Sequence, residues 1–216
     1  MKQTVKVFST SLLIVSIMSC SSSTRITGSW VNPEAKGKAT SDKSVFIASL
    51  TRNMEVRTRI ETALANEAAK QNIKAIKSTD YFTPEFYQSM PTKDQLLSQI
   101  KKTGADAILT VSLINKESET RYVPGSTRYA PMPGYRWYGG FYSYYNYWYP
   151  YLYDPGYYVT DKTYFLETNL YDANTEELIW SAQSETVNPS SIDAFAKEYP
   201  KKLVARMTKD GLLNKS

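Results

Sequence analysis

Between Tyr129 and Tyr158 half of the residues are aromatic: twelve Tyr, Trp137, Trp148 and Phe141. This stretch breaks regular ladders and is expected as a loop or a ragged, extended hairpin. Pro131, Pro133, Pro150 and Pro155 each remove a backbone donor, and Gly134, Gly139, Gly140 and Gly156 loosen the chain between them. An aromatic side chain buries ~150–250 Å², so the fifteen rings offer roughly 3,000 Å². A monomer exposes contiguous apolar patches of only a few hundred Å². The segment therefore needs a cover or a partner, and it splits the chain into two sets of elements that must fold around it. Tyr145, Tyr147, Tyr149, Tyr151 and Tyr153 recur at every second position. An extended run would put them on one side, and Pro150 confines such a run to a sheet edge or an irregular extension.

The N-terminal residues say where the chain goes. Lys2 and Lys6 precede a short apolar stretch, Leu12 to Met18. It is too short for a bilayer span, which takes about 20 apolar residues, and fits a secretory signal over residues 1–19. Ile17-Met18-Ser19-Cys20 resembles the bacterial lipobox, with an aliphatic residue at −3, a small one at −1 and then Cys. That resemblance implies cleavage before Cys20, acylation of its thiol and new amino group, and, with Ser21 following, an outer-membrane destination; of the two sides the periplasmic face is expected ahead of the cell surface. Residues 20–42 are polar, with Gly28, Pro33 and Gly37, and are expected as the lipidated Cys plus a flexible tether in which Trp30-Val31 could touch the domain.

Composition removes whole classes of chemistry. The chain has no His and one Cys. The commonest general base, the commonest metal ligand and any Ser-His-Asp arrangement are absent, and no disulfide can form within the chain. No GxSxG or Gly-rich phosphate loop occurs. No catalytic residue, cofactor or metal is expected. The formal net charge of +5, reduced to +3 once Lys2 and Lys6 leave with the signal, is too mild to argue for nucleic acid.

Residues 43–214 are expected to form one domain, with the aromatic insertion at 124–160. Ser44–Leu50 is an apolar strand. Asn53 caps an amphipathic helix running to about Gln71, with Val56, Ile60 and Leu64 on its apolar stripe and Arg57, Arg59, Glu61 and Lys70 off it. Residues 73–76 alternate as a second strand. Thr92 to Gln95 has the spacing of a capping box before a short helix that Gly104 ends. Residues 105–114 make the strongest strand, with a polar extension through Glu117 to Tyr122. Residues 163–171 and 177–184 form a hairpin around an Asp172–Thr175 turn. A last helix begins at Pro189-Ser190-Ser191 and ends at Gly211, with Pro200 expected to kink or divide it. Short βαβ crossovers make the first strands parallel and the hairpin adds antiparallel ones. The fold class is α+β: a two-layer mixed sheet of about five strands with three helices on one face.

"TGADAILTVSLI" at 103–114, "YDANTEELIWSAQSE" at 171–185 and a closing helix with Tyr199-Pro200 resemble an uncharacterised family of bacterial lipoproteins grouped as a domain of unknown function. The resemblance spans about 44–212 apart from the insertion. A fainter likeness runs to the periplasmic modules of secretion and envelope-assembly lipoproteins. What the family implies is a fold and an address, with no catalytic residues.

Two functions follow. The first is a membrane-anchored, non-catalytic binding or assembly module. Its contact surface is Tyr135, Trp137, Tyr142, Tyr145, Tyr147, Trp148, Tyr149, Tyr151 and Tyr153, against an envelope protein, a second copy or a glycan. Tyr, an apolar body with a polar tip, suits such wet surfaces. The same segment could instead lie over its own sheet as a lid, or meet a membrane surface. The second is a hydrolase of envelope glycan or peptide using carboxylates from Asp80, Glu85, Asp106, Asp154 and Asp161. It requires two of these acids to converge with one pKa raised.

Overall fold

In Ser44–Leu50, the strand β2, Phe46 and Ile47 are adjacent and both fully buried. Neighbouring strand residues face opposite sides of a sheet. Both faces of β2 must therefore be covered, and this sets the architecture. The computed structural model describes residues 23–34, 44–83, 86, 91–123 and 157–214. Around β2 stand β1 (Ser23–Val31), α1 (Met54–Lys70), β3 (Lys74–Lys77), α2 (Ser78–Tyr81) and α3 (Lys93–Lys102), followed by β4 (Ala107–Val123), β5 (Tyr157–Asp172), β6 (Leu178–Val187) and α4 (Ile192–Lys209). They form one six-stranded mixed sheet in the order β1-β6-β5-β4-β2-β3. Strand β2 pairs in parallel with β3 and β4, and the other pairings are antiparallel.

The local signals behave as their chemistry requires. Asn53 Oδ1 accepts from the Val56 N–H at 3.1 Å. The Thr92 hydroxyl accepts from Gln95 N–H while Gln95 Oε1 accepts from Thr92 N–H at 3.0 Å, which completes the capping box. Gly104 and Gly211 follow α3 and α4 with φ of +70° and +83°, the left-handed region that a helix terminus asks of glycine. Asp172 Oδ1 accepts from the N–H groups of Asn174 and Thr175 to make the β5–β6 turn.

The larger core lies between the sheet and α1 with α4. Ile47, Leu109, Leu166, Leu170 and Trp180 meet Ile60, Leu64, Phe195, Tyr199 and Leu203 there. On the other face Phe46 and Ile108 meet Ile100 of α3, together with Phe82. The expected α+β mixed sheet is thus present, but with six strands instead of about five, and the expected two layers with three helices on one face are not what forms: among the described residues there are four helices, and α3 covers the face opposite α1 and α4 because Phe46 and Ile108 need a cover there. Leu96 and Ile100 leave the sequence no clue to which face of the sheet they cover.

Four further expectations need correction. The stretch expected as a tether contains a strand: Ser23–Val31 pairs with β6 from Ser23↔Val187 to Val31↔Trp180. Its polar composition hides this, because it docks by hydrogen bonds rather than apolar bulk. The buried Thr24 hydroxyl meets that of Thr186 at 3.1 Å, and Ser29 Oγ donates to Asp210 Oδ2 at 2.6 Å. Second, Arg57 and Glu61 on α1 are buried instead of facing solvent. Glu61 accepts from Ser49 N–H, Ser78 Oγ and Thr79 N–H at 2.9, 2.7 and 2.9 Å. Arg57 donates to the carbonyls of Ser49 and Thr51. Together they tie α1 to β2 and α2. Third, Pro200 does not divide α4, which runs unbroken with Pro200 on its buried face. Fourth, β5 already begins at Tyr157, inside the expected insertion.

Asp210, just after α4, is the knot that closes the β1 edge. It accepts from Ser29, from Trp180 Nε1 at 2.9 Å and from Arg206 Nε at 3.1 Å. Burial pushes its carboxyl up, but these hydrogen bonds and the Arg206 charge outweigh burial and hold it below the usual carboxylate range. A depressed folded pKa stabilises the fold above the unfolded value of about 3.9, and that contribution disappears as pH falls through the folded value. Asp210→Asn is therefore expected to cost about 1–3 kcal/mol at pH 7. The gap to the native chain should narrow as pH drops below about 4. Urea midpoints at pH 7 and pH 3 check this, and an equal gap at both would contradict it.

Candidate functional site

The β4–β5 pair does not stop where the core stops. Inward alternation in β4 ends at Val111, and Leu113 to Tyr122 are exposed. A register shift falls between Leu113 and Asn115. Beyond it the two strands stay paired from Asn115↔Phe165 to Val123↔Tyr157. Strand β6 accompanies β5 only as far as Thr163, so the last six pairs, from Ser118↔Lys162 outward, form a two-stranded arm.

An isolated two-stranded ribbon is marginal in water, so its own cross-strand contacts matter. The Thr120 and Thr160 hydroxyls meet at 3.1 Å, and Arg121 Nε donates to Asp161 Oδ2 at 2.9 Å. The Tyr122 and Tyr158 rings pack with centroids 5.2 Å apart. Asn188 caps the base where β6 leaves: its N–H donates to the Lys162 carbonyl, its Oδ1 accepts from Lys162 N–H, and its Nδ2 donates to Asp161. The Arg121 hydrogen bond and then that of Asn188 hold the Asp161 carboxyl below its usual range. At the tip Tyr122, Tyr157 and Tyr158 are exposed by 53%, 61% and 75%. The sequence hinted at the arm through the polar run to Tyr122, but nothing in it marked Tyr157 and Tyr158 as strand residues.

Below the arm, at the end of β2, lies an apolar cavity of about 380 Å³. Leu50, Val56, Ile60, Leu113, Tyr164, Ile192 and Phe195 line much of it. The starts of α1 and α4 flank it. Its size falls in the range of small-molecule pockets, roughly 300–1,000 Å³. Its polar side chains among the described residues are the hydroxyls of Ser49, Thr51, Thr186, Ser191 and Tyr164, with no carboxylate or amine among them. Such a cavity can hold an apolar group, but it offers no base to activate a nucleophile.

The acids of the hydrolase reading do not converge where they are described. Asp106 stands at the start of β4, where its Oδ2 accepts from Ser44 N–H and Oγ at 2.8 and 2.9 Å. Asp161 is in the arm at the opposite end of the same strand pair. Asp80, in α2, pairs with Lys77 at 3.2 Å. Each clamps local structure. Glu85 and Asp154 lie outside the described residues, as do Cys20 and the nine aromatic contact residues, Tyr135, Trp137, Tyr142, Tyr145, Tyr147, Trp148, Tyr149, Tyr151 and Tyr153. What the structure contributes to that contact surface is its mount: the insertion leaves β4 after Val123 and re-enters at Tyr157.

No family model matches the chain, and no curated protein matches it. Solved structures resemble it only at low similarity. The PelC dodecamer from Paraburkholderia phytofirmans is 14% identical, over 89% of this chain and 99% of that one, with a TM-score of 0.41. Lipoprotein GNA1162 from Neisseria meningitidis is 10% identical over 77% and 99%, also at 0.41. A PDZ domain protein from Parabacteroides distasonis is 10% identical over 87% of this chain and 37% of that one, at 0.36.

Because the arm adds nothing to either core, the domain should survive its removal. Joining Ser118 to Lys162 through Asn-Gly, the residues a two-residue hairpin turn demands, is expected to change unfolding free energy by less than about 1 kcal/mol. Urea titrations of both chains followed by far-UV circular dichroism measure it. Loss of cooperative unfolding would mean that the arm and insertion belong to the core.

Proposed function

We propose that the protein is a lipid-anchored cell-envelope module that binds or assembles and does not catalyse, with the Tyr-rich insertion as its contact surface. The observation that carries this reading is the arm: both ends of the insertion are held on a paired ribbon that leaves the two cores, with exposed tyrosines at its last pairs. A scaffold that spends ordered chain on carrying an aromatic segment away from its core is built for contact. Cys20 carries the anchor, and Ser21 directs it to the outer membrane, facing the periplasm. An envelope protein or a second copy is the favoured partner, and the tyrosine faces also suit a glycan. The scattered carboxylates give the hydrolase alternative no support.

Two substitutions test it in cells. Cys20→Ala is expected to abolish palmitate labelling and move the chain out of the membrane fraction, and retention in the membrane without label would contradict the anchor. A photo-crosslinking residue at Tyr147 is expected to trap one discrete envelope species, whereas the same residue at Asn174 traps none. Equal or absent trapping at both positions would remove the contact-surface reading.

A further inference from the structure

The register of the sheet relates the point where the chain enters the domain to the direction in which the arm points. Ser23, the first residue of β1, pairs with Val187, Val187 with Thr163, and Thr163 with Glu117. These four residues mark one level across the sheet. The arm continues past that level by six residue pairs. At ~3.4 Å per residue it reaches about 20 Å farther, on the side from which the chain arrives. Cys20 precedes Ser23 by three residues. A fully extended chain of that length spans at most about 10 Å, and any shorter path brings the domain closer to the anchor.

We infer that the tip of the arm, Tyr122, Tyr157 and Tyr158, seats in the headgroup layer of the bilayer that holds Cys20. The inference rests on the reading of Cys20 as acylated. With the strands upright, the tip would lie about 10 Å below the level of Cys20. Strands β5 and β4 stand two and three places from β1, roughly 10–14 Å to the side, so the tip still reaches that level when the sheet leans by about 30° toward its β1 edge.

The chemistry of the arm is graded to match. Its charges, Glu119, Arg121, Asp161 and Lys162, occupy the pairs nearer the sheet. From Tyr122 to Val123 and from Tyr157 to Thr160 there is no charge. The Arg121–Asp161 ion pair stands just behind the tyrosines, where headgroups and water meet. Tyrosine prefers this layer because its ring is apolar and its hydroxyl still finds water or a headgroup. A second contact beside the lipid would fix the orientation of a domain that three residues of linker alone would leave free to swing.

The test uses the full-length acylated protein in vesicles of phosphatidylethanolamine and phosphatidylglycerol. Acylation consumes the single native thiol, so Tyr158→Cys and Asn174→Cys each give one labelling site, at the tip and at the opposite β5–β6 turn. An environment-sensitive fluorophore at position 158 is expected to shift to the blue and to be quenched several-fold more by shallow spin-labelled lipids than one at 174. A mass spectrum of the same sample shows whether Cys20 carries lipid. An unacylated Cys20 overturns the anchoring reading and this inference with it. An acylated Cys20 with a probe at 158 as wet as that at 174 overturns this inference alone. So does a probe at 158 that lipid leaves exposed and an added envelope protein shields, which would make the tip a protein contact.

Discussion

The pairing of β4 with β5 is the interaction on which the rest of the structure depends. It is one uninterrupted antiparallel association from Ala107↔Asp172 to Val123↔Tyr157, broken only by the shift after Leu113. Its first half is core: Leu109, Val111, Leu166 and Leu170 are buried under α1 and α4, and Ile108 faces the second cluster. Its second half has almost no apolar burial and survives on cross-strand pairs. The same two strands thus anchor the fold and carry both ends of the aromatic insertion away from it. Register makes this coupling strict, since a slip by one residue would turn Leu109 and Val111 outward and rotate every tip residue to the other face.

The parts of the fold visible in the sequence are those with a strong local cause. Asn53, Thr92 with Gln95, Gly104, Gly211 and the Asp172 turn each satisfy a backbone group that must find a partner, and each is where its chemistry places it. The parts that were not visible are held by distant polar partners. Glu61 looks like a solvated face residue until Ser49, Ser78 and Thr79 supply three donors. Strand β1 looks like a tether because Thr24, Thr27 and Ser29 carry no apolar signal. Its partners, Thr186, Gln183 and Asp210, are more than 150 residues away. Pro200 fails to break α4 because its neighbours Tyr199 and Leu203 are fully buried, and that burial outweighs one lost backbone bond.

The candidate site was legible in composition and not in position. The aromatic run announces by its area that it needs a cover or a partner, but only the ladder shows that both of its ends leave the domain on one ribbon. The acids proposed for catalysis illustrate the converse. Of the five acids weighed for a hydrolase, Glu85 and Asp154 lie outside the described residues, and Asp106, Asp80 and Asp161 each clamp local structure. Tyr199 adds a second caution against reading chemistry from residue type. Burial drives its hydroxyl up to about 12, only partly offset by its hydrogen bond to Thr168, so it is a neutral core group.

The central claim is that the arm stands away from the domain along the strand direction. The most direct measurement is a spin-label distance between Tyr158→Cys and Asn174→Cys in a Cys20→Ser background. A straight ladder over the fourteen steps from Tyr158 to Asp172 predicts a single distance of about 45 Å. A short or broad distribution would mean that the arm folds back on the sheet, and the picture of an exported contact surface would be wrong.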